Sequence, residues 1–410
     1  MAKIRFGVVG YGQRGDGMTR GILLKFDEIE VVAVCDEYQD RTDKAKADVI
    51  AACGKEPYAT TDYRELLARP EVDAVYVATS WETHIEVAIE AMKQGKAVAL
   101  EVGGAYSIDE LNELVRTWEQ TRVPFMLMEN CCYNKSELLA TSAARHGLLG
   151  TIVHCDGSYR HDLRGEISQG NIIRHYRLRN YMLRNAENYP THELGPIAKL
   201  LNINRGNRML SLVSVASKSC GLEEYIANNE ELLEKDPSLR GVKFKQGDIV
   251  DTIITCAGGE TITLTLDTTL PKYYSREFTV RGTKGLANQE AEMIAIEGEC
   301  NIHEFWENCK NTEKYSDYLA DVWKNITPEQ IDAGHGGMDY IEFVEFFKAL
   351  RAGGEMPIDV YDAAAWMCIT AISEASIAAG GHPQAIPDFT EGKWLLREAR
   401  DVIELPNPNK

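Results

Sequence analysis

The chain has 410 residues, 44% of them hydrophobic and 26% charged, enough apolar matter for a substantial core and, at roughly 150 residues per domain, for two or three domains. Lys and Arg number 44 against 63 Asp and Glu, a formal charge of −19. That acidity argues against a nucleic-acid partner, whose phosphates demand a basic surface, and against docking on an anionic membrane face. No apolar run approaches the ~18 residues of a membrane span, and residues 1–5 enter a strand-like run without the apolar core of a signal peptide. A cytoplasmic protein is expected. The ten cysteines contain no C-x-x-C pair, the spacing that puts two sulfurs on one centre, so reduced thiols and no metal are expected.

Residues 4–9 read as a buried strand, followed by Gly10-Tyr11-Gly12-Gln13-Arg14-Gly15. This G-x-G-x-x-G run lies between a strand and a helix, the context the motif needs. Gly10 permits the tight turn, Gly12 lets backbone approach a pyrophosphate, and Gly15 lets the helix pack on the strand. The phosphates would sit on the N–H groups of the helix start. A second strand over 30–35 ends at Asp36, 21 residues after Gly15, near the spacing of a carboxylate for the adenosine ribose. Glu37 adds a charge that repels a 2′-phosphate, which favours NAD over NADP, while the guanidinium of Arg14 keeps a phosphate-binding alternative open.

Strands are predicted next over 73–78, 97–100 and 124–128, with helices over 82–94 and from the capping box at Ser107-Ile108-Asp109-Glu110 to Thr121. Such alternation implies an α/β Rossmann domain, a doubly wound parallel sheet, over residues 1–130. Ligands on such sheets bind at the carboxyl ends of the strands, which singles out 10–15, Asp36, Thr79 to His84, Glu101-Val102 and Glu129-Asn130.

Beyond Asn130 the pattern changes to strand-like runs at 151–159, 209–219, 249–256, 260–268, 276–282 and 291–297. Gly258-Gly259 reads as a hairpin turn. An α+β domain over 131–410 with a large, mostly antiparallel, open-faced sheet is expected. Residues 221–247 read as an acidic, irregular excursion, and helices over 338–350 and 360–379 are expected to pack back on both domains.

The densest polar-aromatic stretch runs from Tyr159 to Pro196 and holds His161, Arg164, His175, Tyr176, Arg177, Arg179 and Tyr181. Within it stands Asn188-Tyr189-Pro190-Thr191-His192-Glu193-Leu194-Gly195-Pro196. Thr191 can cap a helix continuing through Ile197 and Leu201, which puts His192 in the first turn, where the positive helix end favours the neutral imidazole of a base. No paired-carboxylate site can be picked out, because acidic residues occur throughout.

On these residues the chain resembles the Gfo/Idh/MocA oxidoreductase superfamily and, within it, the NAD-dependent glycosidases of glycoside hydrolase family 109, whose founding substrate class is N-acetylgalactosaminides. The resemblance runs through the glycine loop with Gln13-Arg14, Trp81-Glu82-Thr83-His84, Glu101-Val102, Glu129-Asn130, residues 154–159, the Tyr189-Pro190-Thr191-His192 string, Tyr274-Ser275-Arg276 and His335-Gly336-Gly337-Met338-Asp339. It implies that Gly10, Gly12, Gln13, Arg14, Gly15, Asp36, Thr79, Trp81, Glu82, Thr83, His84, Glu101, Val102 and Asn130 hold NAD. It also implies that Tyr159, Arg177 (or Arg179, one register away), Tyr189, Pro190, Thr191, His192 and Tyr274 surround a carbohydrate substrate. A homo-oligomer through the open face of the C-terminal sheet is implied as well.

Two departures from related sugar dehydrogenases stand out. Those enzymes often carry Glu-Lys-Pro where this chain has Glu101-Val102-Gly103, and an Asp where it has Asn188. The glycosidase branch itself typically has proline at the Gly103 position, and many of its members carry an export signal. What the resemblance implies is oxidation of a hexopyranoside at C3 by NAD, elimination across C1 and C2, addition of water and re-reduction, an exception to the two-carboxylate route. His192 is then the base for the C3 hydroxyl, with Tyr159 and Tyr189 for proton transfers at C2 or the leaving group. The alternatives are a sugar or inositol dehydrogenase with net NAD reduction, and a catalytically silent dinucleotide-binding regulator.

Overall fold

The computed structural model describes residues 3–407. The chain forms two compact units, one made of residues up to Tyr133 together with Asn325–Ala364, the other of Asn134–Lys324 together with the residues from Ala365 onward.

The first unit is built on six parallel strands, β1 (Ile4–Val9), β2 (Ile29–Cys35), β3 (Tyr58–Thr60), β4 (Ala74–Val77), β5 (Ala97–Glu101) and β6 (Phe125–Met128), in the order β3-β2-β1-β4-β5-β6. Strands β4, β5 and β6 are buried at every position. Helices cover both faces of such a sheet, so the strands read as continuous apolar runs. The strand order reverses between β1 and β4, which places the glycine loop after β1 at the switch point where these sheets bind ligands. Ser107 and Glu110 form the expected reciprocal capping box. Strand β3 is three half-buried residues at the sheet edge, too short to show a hydropathy signal.

Residues Asn325–Ala364, which chain order alone assigns to the second domain, belong to this first unit. The reason is aromatic. The helix Met338–Ala352 buries Phe343, Phe346 and Phe347 against the first sheet, with Phe6 edge-on to Phe346 and Phe347 at ring separations of 6.3 and 5.7 Å. Tyr76 meets Phe343 at 5.6 Å, and the carbonyl of Ile358 accepts the Leu127 N–H at 3.2 Å.

The second unit carries an eight-stranded sheet: β7 (Ile152–Arg160), β8 (Met209–Ala216), β9 (Ile249–Cys256), β10 (Thr261–Asp267), β11 (Thr279–Gly282), β12 (Gly285–Asn288), β13 (Met293–Ile296) and β14 (Gln384–Ala385). Their order is β13-β12-β11-β7-β10-β9-β8-β14, with β7 and β10 parallel and the other neighbours antiparallel. The turn between β9 and β10 places Gly259 at φ +94°, a left-handed conformation that glycine alone adopts freely. Along β9 residues alternate between buried and outward-facing. On the outward face Ile253 and Val215 are each about half exposed. The acidic excursion is more regular than its composition suggests, forming short helices over Gly221–Ala227 and Glu230–Lys235.

The helix Thr191–Leu200 lies against the other face of β7. Gly157 makes that approach possible, because a Cβ there would stand 2.9 Å from the Glu193 carbonyl and 3.0 Å from Ile197 Cδ1. Among the described residues every cysteine is a free thiol, most of them buried, and no helix is long and apolar enough to cross a membrane.

Candidate active site

In the first unit the glycine loop has the shape a dinucleotide requires. Gly10 adopts φ +96°, and a Cβ on it would lie 2.5 Å from the Ala78 carbonyl oxygen; a Cβ on Gly15 would lie 2.0 Å from the carbonyl oxygen of Gly10. Both positions therefore exclude a side chain. At Gly12 a Cβ would meet nothing nearer than the Arg41 guanidinium at 3.6 Å, so the backbone there faces open space. The helix Gln13–Gly21 starts at Gly12 with no side chain capping its first turn. Its leading N–H groups are thus available to the pyrophosphate of NAD. Asp36 stands at the end of β2, and its carboxylate accepts the Tyr11 N–H at 2.6 Å and the Tyr38 N–H at 3.0 Å. This acid braces the loop.

Arg14 is the centre of a charge cluster. Its Nε donates to Glu101 at 2.8 Å, and its two terminal nitrogens donate to the Asp339 carboxylate at 3.0 and 3.1 Å. Asp339 also accepts Asn130 Nδ2 at 2.6 Å and faces His335 Nδ1 at 2.7 Å, while the Tyr76 hydroxyl donates to Glu101 at 2.5 Å. Arg14 holds the Asp339 carboxyl well below the usual carboxylate range against the opposing effect of burial. The neighbouring Glu342 is fully buried, and desolvation, reinforced by Asp339 and Glu101, pushes its carboxyl well above that range. One acid of this cluster is ionised and another is held neutral. Asp339 belongs to the His335-Gly336-Gly337-Met338-Asp339 string, whose role as partner of Arg14 no spacing rule discloses.

The remaining residues expected on the cofactor side form two adjoining loops. His84 is buried, with Nε2 3.2 Å from the Val102 carbonyl and Nδ1 3.3 Å from the Thr79 hydroxyl, and burial lowers its pKa to about 4. It is a neutral imidazole tying the turn after β4 to the end of β5, with Glu82 and Thr83 between its anchors. Trp81 explains the departure at Gly103. A Cβ on Gly103 would fall 2.4 Å from Cδ1 of the Trp81 indole, so the indole leaves no room for a side chain at this position.

The second unit gathers the aromatic and histidine residues. Tyr159, near the end of β7, has its ring 4.6 Å from Tyr189, 5.5 Å from His192 and 4.9 Å from His161. Tyr274, half exposed, closes the group at 5.2 Å from His161 and 6.4 Å from Tyr159. The Tyr189 hydroxyl lies 3.4 Å from His192 Nε2. Pro190, not Thr191, is the residue before the helix; Thr191 is its first residue, its hydroxyl makes no side-chain cap, and His192 stands in the first turn as expected. Of the two arginines, Arg177 lies in this group, its guanidinium 5.2 Å over the Tyr189 ring and 3.1 Å from Glu166, whereas Arg179 is exposed. Burial pushes the Tyr159 hydroxyl up to about 12, with Arg177 opposing. Burial, and then the same arginine, lowers His161 to about 4. Most other arginines of this stretch are neutralised, Arg160 by Glu277, Arg164 by Asp162 and Arg184 by Glu374.

Two buried carboxyls that sequence reading passed over flank this string. Glu187 and Glu193 are both buried, and burial drives both carboxyls upward. Between them Asn188 donates to Gln246 Oε1 at 3.1 Å while Gln246 Nε2 donates to the Ala186 carbonyl at 3.0 Å. An aspartate at 188 would have no proton to give, which accounts for the amide here.

Residues 133–396 match the model of the glycosyl hydrolase 109 C-terminal domain. The chain belongs to glycosyl hydrolase family 109. Residues 4–129 match the NAD-binding Rossmann fold of the oxidoreductase family, so NAD is the cofactor of this family 109 enzyme. A glycosyl hydrolase family 109 protein of Stenotrophomonas maltophilia is 38% identical over 97% of the chain and 91% of the relative. The alpha-N-acetylgalactosaminidase of Tannerella forsythia is 35% identical over 96% of the chain and 88% of its own length. In fold the chain is similar to scyllo-inositol dehydrogenase from Lactobacillus casei with bound NAD(H) and scyllo-inositol, at 13% identity and a TM-score of 0.66 over 93% of the chain and 99% of that structure.

Proposed function

We propose that this enzyme hydrolyses hexopyranosides, N-acetylgalactosaminides among them, by transient oxidation at C3 followed by elimination across C1 and C2. The observation that carries the reading is the contact of Tyr159, Tyr189 and His192 in a chain that also has an NAD cradle. When bound, NAD supplies a reversible hydride acceptor, so C3 can be oxidised and later restored with no net change in cofactor. His192 takes the C3 hydroxyl proton. The C3 ketone acidifies the C2 hydrogen, and Tyr189, in contact with His192 Nε2, serves its removal. Tyr159 keeps its proton through burial and suits delivery to the departing C1 oxygen. Water adds at C1–C2 and C3 regains its hydride and proton.

Direct displacement by two carboxylates needs groups roughly 5 to 9.5 Å apart and open to sugar and water. Glu187 and Glu193 are sealed from solvent and do not meet that requirement. The alpha-N-acetylgalactosaminidase name of the Tannerella forsythia relative supports the substrate class. We further propose that the outward face bearing Ile253 and Val215 covers a second copy of the chain.

The test is a panel of nitrophenyl glycosides with and without added NAD. Aglycone release without accumulation of NADH, and solvent deuterium at C2 of the product, are the expected results. Stoichiometric NADH would instead point to a dehydrogenase.

A further inference from the structure

We propose that Glu166 is a positioning residue that holds the Arg177 guanidinium over the ring of Tyr189. This role rests on the function proposed above and deepens it, because the cation stands beside the tyrosine that serves proton removal at C2.

Arg177 opens the helix Arg177–Leu183, and its side chain is only 10% exposed. A guanidinium taken out of water needs an acceptor of opposite charge within reach. Glu166, in the short helix Arg164–Ser168, supplies it: Arg177 Nη1 donates to Glu166 Oε1 at 3.1 Å. The same oxygen lies 3.8 Å from His175 Nε2, while His175 Nδ1 accepts the Arg177 backbone N–H at 3.3 Å. A ring nitrogen that accepts carries no proton, so the neutral imidazole has its proton on Nε2, turned toward Glu166. The imidazole is itself stacked on the Tyr176 ring at 4.4 Å. Glu166 therefore meets the Arg177 guanidinium directly and faces the histidine that holds the Arg177 backbone. The guanidinium also stands 5.2 Å over the Tyr189 ring. Tyr189 is 8% exposed, so negative charge gathering on its ring as a proton passes has little water to meet it. A cation at the ring face favours that charge. Arg177 carries its cation on a long stem, and Glu166 fixes where it points. The Glu166 side chain is 29% exposed, so its removal opens a way for the guanidinium to turn to water and leave Tyr189.

Two measurements on the NAD-loaded enzyme decide the matter. The first is turnover of nitrophenyl glycosides carrying hydrogen or deuterium at C2. Glu166→Ala should lower kcat about tenfold or more with KM within about threefold, since the reacting groups themselves stay in place. Its isotope effect on kcat should exceed the native value, because removal of the C2 hydrogen has become the slower step. Glu166→Gln keeps an oxygen for Arg177 Nη1 and should hold kcat within about threefold of native. Native kcat in Glu166→Ala, equal losses in both variants, or a lower kcat with an unchanged isotope effect would overturn the positioning role. The second is urea unfolding of Glu166→Ala, Arg177→Met and the double variant. The combined effect on the folding constant should fall short of the product of the single effects by about threefold or more. Effects that simply multiply would overturn the hold of Glu166 on Arg177. If Glu166→Ala does not fold, Glu166→Asp, whose carboxylate stops one methylene short of Arg177, takes its place in both measurements with the same expectations. Absence of glycoside hydrolysis in every chain, native included, would overturn the proposed function, while the urea comparison still decides whether Glu166 holds Arg177.

Discussion

The cradle of the first unit and the aromatic cluster of the second are built in opposite ways. The cradle is made of missing atoms: Gly10 and Gly15 leave room that a single methyl would close, and the helix start behind them is uncapped. The cluster is made of large side chains held in contact, with Tyr159, Tyr189, His192 and Tyr274 arriving from three separate stretches of chain. A cradle of this kind admits no side chain at Gly10 or Gly15. A cluster tolerates small backbone shifts but depends on every contributing segment. The charges differ too: Arg14 is paired with the carboxylates of Glu101 and Asp339, whereas burial keeps Tyr159 and His161 neutral beside Arg177.

The largest expected effect breaks the cluster while sparing the cradle. His192→Ala should lower aglycone release about 10³-fold, within the range for loss of a general base, with NAD affinity measured by fluorescence titration unchanged. Next comes the reverse case. Asp339→Asn removes one of the two carboxylates paired with Arg14 and should cost about 3 kcal/mol in urea unfolding, with NAD affinity reduced. A pH scan sharpens the same contrast. His84 titrates near 4 in the fold and near 6.5 in the unfolded chain. The unfolded chain therefore binds the extra proton between those values, and the stability that His84 contributes is complete above pH 6.5. It is lost as the pH falls toward 4, by about 3 kcal/mol in all, and His84→Gln should remove that part of the slope. Gly103→Ala should cost about 2 kcal/mol by overpacking Trp81, with a matching loss of NAD affinity. The smallest effect lies on neither site. Ile253→Lys should leave stability within about 0.5 kcal/mol, and light scattering should report a lower oligomeric order if the open face covers a second copy.

Legibility followed the same division. The long apolar runs of β1, β2, β4, β5 and β6, the glycine loop and Asp36 are local patterns, and each could be read directly. Short edge strands such as β3, β12 and β14 bury too few residues to leave a period in the sequence. In the second unit the Tyr189-Pro190-Thr191-His192 string could be read, but its register against Arg177 and Arg179 awaited the helix Arg177–Leu183, which turns the first inward and the second to solvent. The Glu187–Glu193 pair was invisible because the chain holds 63 acidic residues, and only burial separates these two from the solvated remainder. Gly103 looked like an arbitrary departure until the Trp81 indole was seen to fill its place.

The partnership of Arg14 with Asp339 spans 325 positions of sequence. Synthesis proceeds from the N-terminus, so the chain emerges with its cradle drawn but its counter-charge not yet made. A fragment ending at Tyr133 would carry all six strands, yet Phe6 and Tyr76 would lack the rings of Phe343, Phe346 and Phe347, and Arg14 would lack Asp339. The cofactor module is therefore not a detachable N-terminal half that could be grafted or expressed by itself. It is a loop closed late, finished only after the residues of the second unit up to Lys324 have been made. Any separation of the two functions would have to rejoin Asn325–Ala364 to the first strands by a new linker, as in a circular permutant.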